Sequence, residues 1–282
     1  MRLNEQGKPG TANAVLDHKN SRIKIVNYNN ELARDEVETL KCIAKAKNLD
    51  KIIVTAGEYS YRKYRRYGFQ IEGTIEKFFR GEKAYLLSLF LQDERQQNPY
   101  SAEEDKVLLE TEQYTSNMDT SRRDQIKIVT RTATTADAQE LSQIFRKVFS
   151  TYPTQLHDPS YIAEIMNQHV LFKVCVIDDR IASVASAEID WNHKNAEMTD
   201  CATLPEYRGL GLMDNLIDAL ETEMLTLDIP CVYSLARARS LGITMVFRNR
   251  GYQYRGRLVN NCHICGQYES MNIWEKQLNT TV

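Results

Sequence analysis

The spacing of apolar residues predicts alternating strands and helices in the first part of the chain. Short apolar or alternating runs are typical of strands, and Val37, Leu40 and Ala44 recur at the spacing of one helix face. Gly68 stands where the second helix should end. The predicted elements are a hairpin over 14–26, a helix over about 31–47, a strand over 51–56, a helix over 61–67 and strands over about 69–76 and 84–91.

Polar and charged residues then dominate, and they predict a linker over 93–125 that holds at most a short helix. Strand and helix patterns resume after it. The predicted elements are a strand over 126–130, a helix from about 135 to 149, a hairpin over 171–190, a strand over 197–204, a helix over 213–227, a strand over 231–236, a helix over 240–250 and strands over 252–259 and 270–277.

The stretch from Thr199 to Met213 joins a strand to a helix through Arg208-Gly209-Leu210-Gly211. Such a turn directs several backbone N–H groups at one point, and the helix dipole adds positive potential there. Gly209 and Gly211 allow close approach, so the turn suits a pyrophosphate. The alternative interpretation is an ordinary strand-to-helix connection.

This turn resembles the acetyl-CoA-binding motif of the GNAT superfamily of N-acetyltransferases. Arg208 and Gly211 match the motif, whereas Met213 stands where a small residue is usual. The resemblance implies acetyl-CoA as co-substrate. The implied cofactor-binding residues are Ala202, Thr203, Leu204, Arg208, Gly209, Leu210, Gly211, Leu212, Met213 and Phe247.

The order of predicted elements from 126 to 282 is similar to the GNAT fold, an α/β (α+β) arrangement with a mixed, mostly antiparallel sheet flanked by helices. A weak repeat aligns 68–73 with 251–256, since both read Gly-aromatic-Gln-x-x-Gly. We therefore expect three parts: a smaller degenerate GNAT-like half over 1–92, the linker over 93–125 and a catalytic N-acetyltransferase domain over 126–282.

Both halves also resemble β-lysine N-acetyltransferases. The matching stretches are 68–69, 72–75, 78–81, 260–261, Gly266 and 269–274. The resemblance implies acetylation of the terminal amine of β-lysine, which a lysine 2,3-aminomutase makes, to give a compatible solute for osmoadaptation. The alternatives are a different amine (a polyamine, another amino acid or a protein lysine) and a non-catalytic acyl-CoA-binding regulator.

The reacting amine, with a reference pKa of about 10.4, needs a base before it attacks the thioester. Glu197 stands where similar histone-type GNATs carry that base, although a surface carboxylate is the plain alternative. Asp200 should face the other way in a regular strand, unless a bulge intervenes. Phe247 replaces the family's proton-donating tyrosine, which leaves Tyr252, Tyr254 or water to protonate the thiolate.

Candidate substrate-binding residues lie at strand ends near the expected cleft. Carboxylates suit the second ammonium, whereas arginine or amide groups suit the carboxylate. Alternatively, the arginines belong to a solvated loop. The candidates are Glu188, Asp190, Arg237, Arg239, Asn260 and Asn261.

Composition narrows the class of partner. The 282 residues carry a net charge of −2, which gives no bulk attraction to nucleic acid or to anionic membranes. No apolar run suits a membrane span or secretion signal, so we expect a cytoplasmic protein with reduced cysteines. Cys262 and Cys265 have ligand-like spacing but lack a second pair, so no metal is expected. The sequence does not indicate an oligomeric state.

Overall fold

The computed structural model describes residues 3–4, 14–26, 32–113 and 126–279, with the side chains of 3–4 excepted. Its strands form one sheet of thirteen. They are β1 Leu3–Asn4, β2 Ala14–Asp17, β3 Arg22–Ile25, β4 Lys51–Ala56, β5 Gln70–Phe79, β6 Glu82–Phe90, β7 Val129–Thr132, β8 Val170–Ile177, β9 Arg180–Asp190, β10 Asn195–Thr203, β11 Cys231–Arg237, β12 Gln253–Ile264 and β13 Gln267–Gln277.

Helices lie against this sheet, and their apolar residues build three buried cores. The helices are α1 Arg34–Ala46, α2 Tyr61–Arg66, α3 Asp93–Gln96, α4 Ser101–Gln113, α5 Ala138–Val148, α6 Pro159–Met166, α7 Leu212–Thr226 and α8 Leu241–Asn249. One core contains α5 and α6, a second contains α7 and α8, and the third joins α1 to β3 and β4.

The strand order is β1-β2-β3-β4-β6-β5-β12-β13-β11-β10-β9-β8-β7. The pairs β1–β2, β3–β4 and β10–β11 are parallel, and the other described pairs are antiparallel. The predicted mixed, mostly antiparallel sheet flanked by helices is confirmed.

Several element boundaries differ from those predicted. The first long helix begins at Arg34 among the described residues, and residue 31, its predicted start, lies outside them. The strand expected over 126–130 is shifted to Val129–Thr132. Helix α6 was not predicted, although Asp158 caps it by accepting a hydrogen bond from the Ser160 amide at 2.9 Å. Pro159 at its first turn is a further start signal.

The predicted linker is partly helical. Residues 93–113 form α3 and α4, and α4 lies against α8, where Arg248 pairs with Glu112 at 3.4 Å. Residues 114–125 lie outside the described part of the chain. The division of the chain into domains therefore stays a prediction.

The two halves of the sheet have the same order of elements. The run β2-β3-α1-β4-α2-β5-β6 has the strand order β2-β3-β4-β6-β5, and β9-β10-α7-β11-α8-β12-β13 has the order β9-β10-β11-β13-β12. In both, the second and third strands are parallel and their other neighbours are antiparallel. The repeat in the sequence thus extends to the topology.

The halves join where β5 pairs with β12, through Gly73 opposite Gly256. These glycines are the last residues of the two aligned repeat motifs. A Cβ atom added to Gly73 would lie 2.7 Å from the Arg255 carbonyl oxygen, and one added to Gly256 would lie 2.6 Å from the Gly73 Cα. Because other residues never approach backbone this closely, glycine is required on both strands.

Buried polar contacts reinforce this junction. The Lys51 ammonium, fully buried, contacts Glu72 at 3.1 Å and donates to the Val259 carbonyl at 2.7 Å. Glu72 in turn accepts from the Val259 amide at 2.6 Å. Asn195 donates to the Phe78 carbonyl at 2.9 Å. Buried charges satisfied in this way fix the register between the halves.

We expect Gly73→Ala to lower the free energy of unfolding by about 1–3 kcal/mol, because the added methyl group overpacks the β5–β12 junction. Denaturant unfolding measures this loss. Gly57→Ala is the matched control, since its Cβ would meet only Phe79 at 3.8 Å, and it should change stability by less than about 0.5 kcal/mol. Equal stability of the two variants would contradict the close-approach account.

Candidate active site

Strands β10 and β11 separate soon after they meet. Their paired residues end at Glu197 opposite Tyr233. Beyond that point a groove of about 860 Å³ opens between them, which we call the β10–β11 groove. Residues from β10, the following loop, β11 and α8 line it, among them Thr199, Asp200, Thr203, Gly209, Leu235 and Val246.

The predicted glycine turn forms one wall of this groove. Gly209 and Gly211 have φ values of 83° and 70°, and Gly211 caps the N-terminus of α7. Nothing lies within 4 Å of a Cβ atom added to Gly209, so the backbone there is open to a ligand. A positive helix terminus beside free backbone suits an anion.

The structure brings most predicted cofactor-binding residues to the groove but not all. The lining includes Thr203, Arg208, Gly209, Gly211, Leu212 and Met213. Four others are absent from the groove lining because their side chains pack in the cores, and their role in binding the cofactor stays a prediction. They are Ala202, Leu204, Leu210 and Phe247. The Leu204 amide is also engaged within the sheet, because it donates to the Ala182 carbonyl at 3.0 Å.

A second cavity of about 420 Å³, which we call the central cavity, lies between the two halves of the sheet. The front half contributes Lys24, Val54 and Thr55, and the rear half contributes Glu188, Glu197 and Tyr233. The groove and the cavity share Tyr152, Thr199, Asp200, Leu235, Ile264 and Met271, so the two spaces meet at these residues.

A β-bulge decides which side chains face the cavity. The β9–β10 register shifts between Thr199 and Ala202, and Asp200 has a left-handed φ of 50°. An extra residue resets the alternation of faces. The prediction that Asp200 faces away from Glu197 is therefore wrong, since both line the central cavity.

Asp200 lies at the meeting point with both carboxylate oxygens engaged. Oδ2 accepts from the Ser186 hydroxyl at 2.7 Å, and Oδ1 accepts from the Tyr152 hydroxyl at 3.1 Å. Burial raises the pKa of Asp200 to about 6, a rise that the Ser186 hydrogen bond opposes and Glu188 supports. At neutral pH the carboxylate is mostly ionised and can accept a proton.

The pKa of Glu197 is raised further than that of Asp200. Burial raises its pKa to about 8, and repulsion from Glu188 adds to the rise, whereas the charge of Lys24 opposes it. Glu188 is half-exposed and pairs with His169 at 3.5 Å, a contact that lowers the pKa of Glu188. The cavity thus holds carboxylates of different protonation at neutral pH, which a cationic ligand would pull towards the charged form.

Two residues of the site were missed from the sequence. Tyr152 lies in the loop between α5 and α6, where no periodicity indicates which side chain turns inward. Burial raises its pKa well above the usual range, so its hydroxyl stays protonated. The position of Lys24 could have been predicted from the sequence. It alternates with Ile23 and Ile25 in β3, so its side chain lies on the opposite face of the strand from theirs.

Other predicted site residues lie elsewhere. Tyr252 is buried against Phe247, with ring centroids 4.9 Å apart, and belongs to the core of α7 rather than to the lining of either space. Tyr254 stacks edge-on against Trp274 and also lies outside both linings. The prediction that one of these tyrosines protonates the thiolate therefore has no support from the groove lining.

Three predicted substrate contacts are structural as well, and a fourth faces the groove. Arg237 and Arg239 both bind the buried Glu269, at 2.9 and 2.7 Å, and only Arg237 also lines the groove. Asn260 donates to two backbone carbonyls near α3, and Asp190 caps the β9–β10 turn. Of the predicted set, Glu188 and Asn261 line the central cavity.

Across the described residues, no cluster of three or more histidine, cysteine, aspartate or glutamate side chains could hold a metal ion. No helix in that part of the chain has the length and apolar character needed to cross a membrane.

Residues 138–242 match the family described as Acetyltransferase (GNAT) family. The chain is 40% identical to the N-acetyltransferase YodP of Bacillus subtilis (strain 168) over 274 residues, which is 96% of this chain and 98% of the relative.

Two further relatives are named Beta-lysine N(6)-acetyltransferase. The protein of Methanococcus maripaludis is 31% identical, with 93% of this chain and 98% of the relative covered. That of Methanosarcina mazei is 33% identical, with 85% of this chain and 95% of the relative covered. Since these similarities span both halves of the sheet, this chain belongs to the GNAT family of acetyltransferases and is an acyltransferase.

Proposed function

We propose that this enzyme transfers the acetyl group of acetyl-CoA to the terminal N6 amine of β-lysine. The observation that carries the proposal is the opening of the β10–β11 groove, beside its glycine turn, onto an acidic cavity at Asp200. Family membership supports the acetyl transfer. The two relatives named for β-lysine, at 31% and 33% identity, support the acceptor.

In this proposal each part of acetyl-CoA has a matching part of the β10–β11 groove. Backbone amides of the Arg208–Gly211 turn and the first turn of α7 bind the pyrophosphate. The separated edges of β10 and β11 offer unpaired backbone groups to the amide-containing pantetheine arm. The thioester then lies where the groove meets the central cavity, next to Asp200 and Tyr152.

The central cavity suits a diamine. The amine arrives as an ammonium ion, and the negative potential of Glu188, Glu197 and Asp200 attracts it. An ammonium beside Glu197 favours the ionised form of that carboxyl and lowers its raised pKa. The acidic wall therefore binds the cationic form of the amine, and a base must then remove its proton before the nitrogen can attack.

Asp200 is the base in this proposal, and Glu197 stays a second candidate. Asp200 belongs to both spaces, whereas Glu197 lines only the central cavity. The amine gives its proton to Asp200, directly or through water, and its nitrogen attacks the thioester carbonyl carbon. The tetrahedral intermediate then collapses: the C–S bond breaks, the nitrogen loses its second proton, the departing CoA thiolate takes up a proton from it directly or through water, and the amide product forms.

The β-bulge at Asp200 also provides backbone amides that can stabilise the oxyanion formed when the amine attacks the thioester. Asp200 and Cys201 fall between the ladder pairs Thr199–Ser186 and Ala202–Val184, so neither has a partner residue in β9. In this proposal their backbone amides donate to the oxyanion that forms at the thioester carbonyl. A role in osmoadaptation, a cytoplasmic location and a metabolic link to a lysine 2,3-aminomutase stay predictions from the resemblance.

Thiol release from acetyl-CoA tests the acceptor, with β-lysine, α-lysine, spermidine and a lysine peptide compared. We expect kcat/KM for β-lysine to exceed kcat/KM for the other amines by at least ~10-fold. An amine that leaves polar groups of the enzyme's site without a partner loses binding free energy relative to one that pairs with them. A preference for spermidine or the peptide would keep acetyl transfer but exclude the proposed acceptor. Absence of turnover with every amine would contradict the proposed activity itself.

Asp200→Asn should lower kcat by about 10²–10⁴-fold, the usual contribution of a general base, and leave acetyl-CoA affinity unchanged. In the wild-type enzyme kcat/KM should rise with pH through about 6, as Asp200 loses its proton. If Glu197 is the base instead, the rise lies near pH 8 and Glu197→Gln shows the larger loss of kcat. Steady-state kinetics over pH 5–9 measure both.

Tyr152→Phe should move the acidic limb of the kcat/KM profile to higher pH. The Tyr152 hydroxyl donates to Asp200, which lowers the pKa of that carboxyl, so its removal raises the pKa. Tyr161→Phe is the control, because Tyr161 also lines the central cavity without a hydrogen bond to Asp200 in the structure. If the acidic limb of the kcat/KM profile keeps its pH in Tyr152→Phe, the hydrogen bond between Tyr152 and Asp200 does not set that limb.

A further inference from the structure

The central cavity is charged oppositely on its two walls. The rear half presents the carboxylates of Glu188 and Glu197, and the front half presents Lys24 and Arg22 from β3. The walls interact electrostatically, since Lys24 lowers the pKa of both carboxyls. In the repeated topology β3 corresponds to β10, so equivalent strands of the two halves face the same space with opposite charge.

The two cations of the front wall differ in their surroundings. Arg22 is buried, contacts Asp17 at 2.8 Å and donates to the Asn261 carbonyl at 2.8 Å. Asp17 thus neutralises its charge, and Arg22 anchors β3 to β12. Lys24 lies two residues further along the same face of β3 and is less buried. Lys24 is therefore the cation available to a ligand.

Asn261 lies on the same side of the cavity, next to Arg22. Its side chain is buried, with 2% exposed, and it lines the cavity. No described atom hydrogen-bonds its Oδ1 oxygen, and its Nδ2 contacts only the Cys262 sulfur at 3.5 Å among the described residues. A buried acceptor without a donor is costly unless a ligand supplies one.

We propose that Lys24 of the front half and Asn261 of β12, which faces it across the junction, together bind the amino-acid end of the substrate. The Lys24 ammonium pairs with the substrate carboxylate, and the Asn261 Oδ1 oxygen accepts a hydrogen bond from the neighbouring ammonium. The terminal amine then reaches Asp200 at the opposite end of the cavity, where the groove begins. This inference rests on the proposed function and extends it, because it assigns a role to the half without the glycine turn.

The arrangement selects diamino acids over polyamines. A polyamine offers no carboxylate to Lys24 and leaves that cation facing a second cation across the cavity. A simple amino acid without a second amine leaves Asn261 Oδ1 unsatisfied. The ligand class that satisfies both groups and Asp200 is a carboxylate with an adjacent ammonium and a terminal amine.

Three amine substrates test the proposed contacts one at a time. β-Lysine has the carboxylate, the adjacent amine and the terminal amine. 1,4-Diaminopentane keeps both amines and lacks the carboxylate, whereas 6-aminohexanoate keeps the carboxylate and the terminal amine and lacks the second amine. Each probe therefore removes one proposed contact, and kcat/KM is measured with each for the wild-type enzyme and two variants.

Lys24→Met should lower kcat/KM about 10- to 100-fold for β-lysine and 6-aminohexanoate. It should not lower kcat/KM for 1,4-diaminopentane and should raise it where repulsion between Lys24 and the second ammonium is relieved. Asn261→Leu should lower it for β-lysine and 1,4-diaminopentane and spare 6-aminohexanoate. Lys83→Met is the control, since Lys83 is a front-half strand lysine that pairs with Glu76 at 2.7 Å, outside the cavity lining. It should change none of the three values.

Equal losses with all three probes in Lys24→Met would overturn the carboxylate contact, because they would indicate an effect on Asp200 or on folding. Calorimetric binding of the same amines in the presence of CoA gives the same comparison without turnover. An enzyme that binds β-lysine through Lys24 but does not acetylate it would refute the proposed function and support this inference. Binding that is insensitive to Lys24→Met would refute the inference alone.

Discussion

The close approach of two backbones at Gly73 and Gly256 joins the two halves of the sheet. No side chain fits between β5 and β12 there, and the charges of Lys51 and Glu72 are buried beside the junction, where partners of both halves satisfy them. One continuous sheet results, and its two halves enclose the central cavity. A looser junction would leave the acidic wall of the rear half exposed to water and remove the opposite wall.

Within the rear half, two departures from regular strand geometry create the site. The separation of β10 from β11 opens a groove with free backbone edges, and the bulge at Asp200 turns a second carboxylate into the cavity. Burial then raises the pKa of Asp200 to about 6 and that of Glu197 to about 8, so one is ionised and the other mostly neutral at neutral pH. Similar carboxylic acids on one strand thereby acquire different proposed roles.

The two halves share one order of strands and helices but carry different functional side chains. In the rear half, β10 carries carboxylates and leads through a glycine turn into α7, where we propose that the pyrophosphate of the cofactor binds. In the front half, β3 carries Arg22 and Lys24, and residues 26–33 contain no glycine. The same order of strands and helices thus carries a glycine turn and an acidic cavity wall in the rear half, and a basic cavity wall in the front half. An acceptor with charges of both signs suits a cavity built in this way.

Local sequence patterns were enough to predict most strands and helices and the resemblance to the family. The Arg208–Gly211 turn could be predicted because a glycine turn between a strand and a helix depends on neighbouring residues alone. The contacts between distant side chains followed from the folded structure and not from these local patterns. The folded structure assigned Arg237 and Arg239 to Glu269, placed Tyr252 in a core, turned Asp200 towards Glu197 and brought Tyr152, Lys24 and Asn261 to the cavity. Those contacts join residues far apart in the chain, and packing and register rather than local preference determine them.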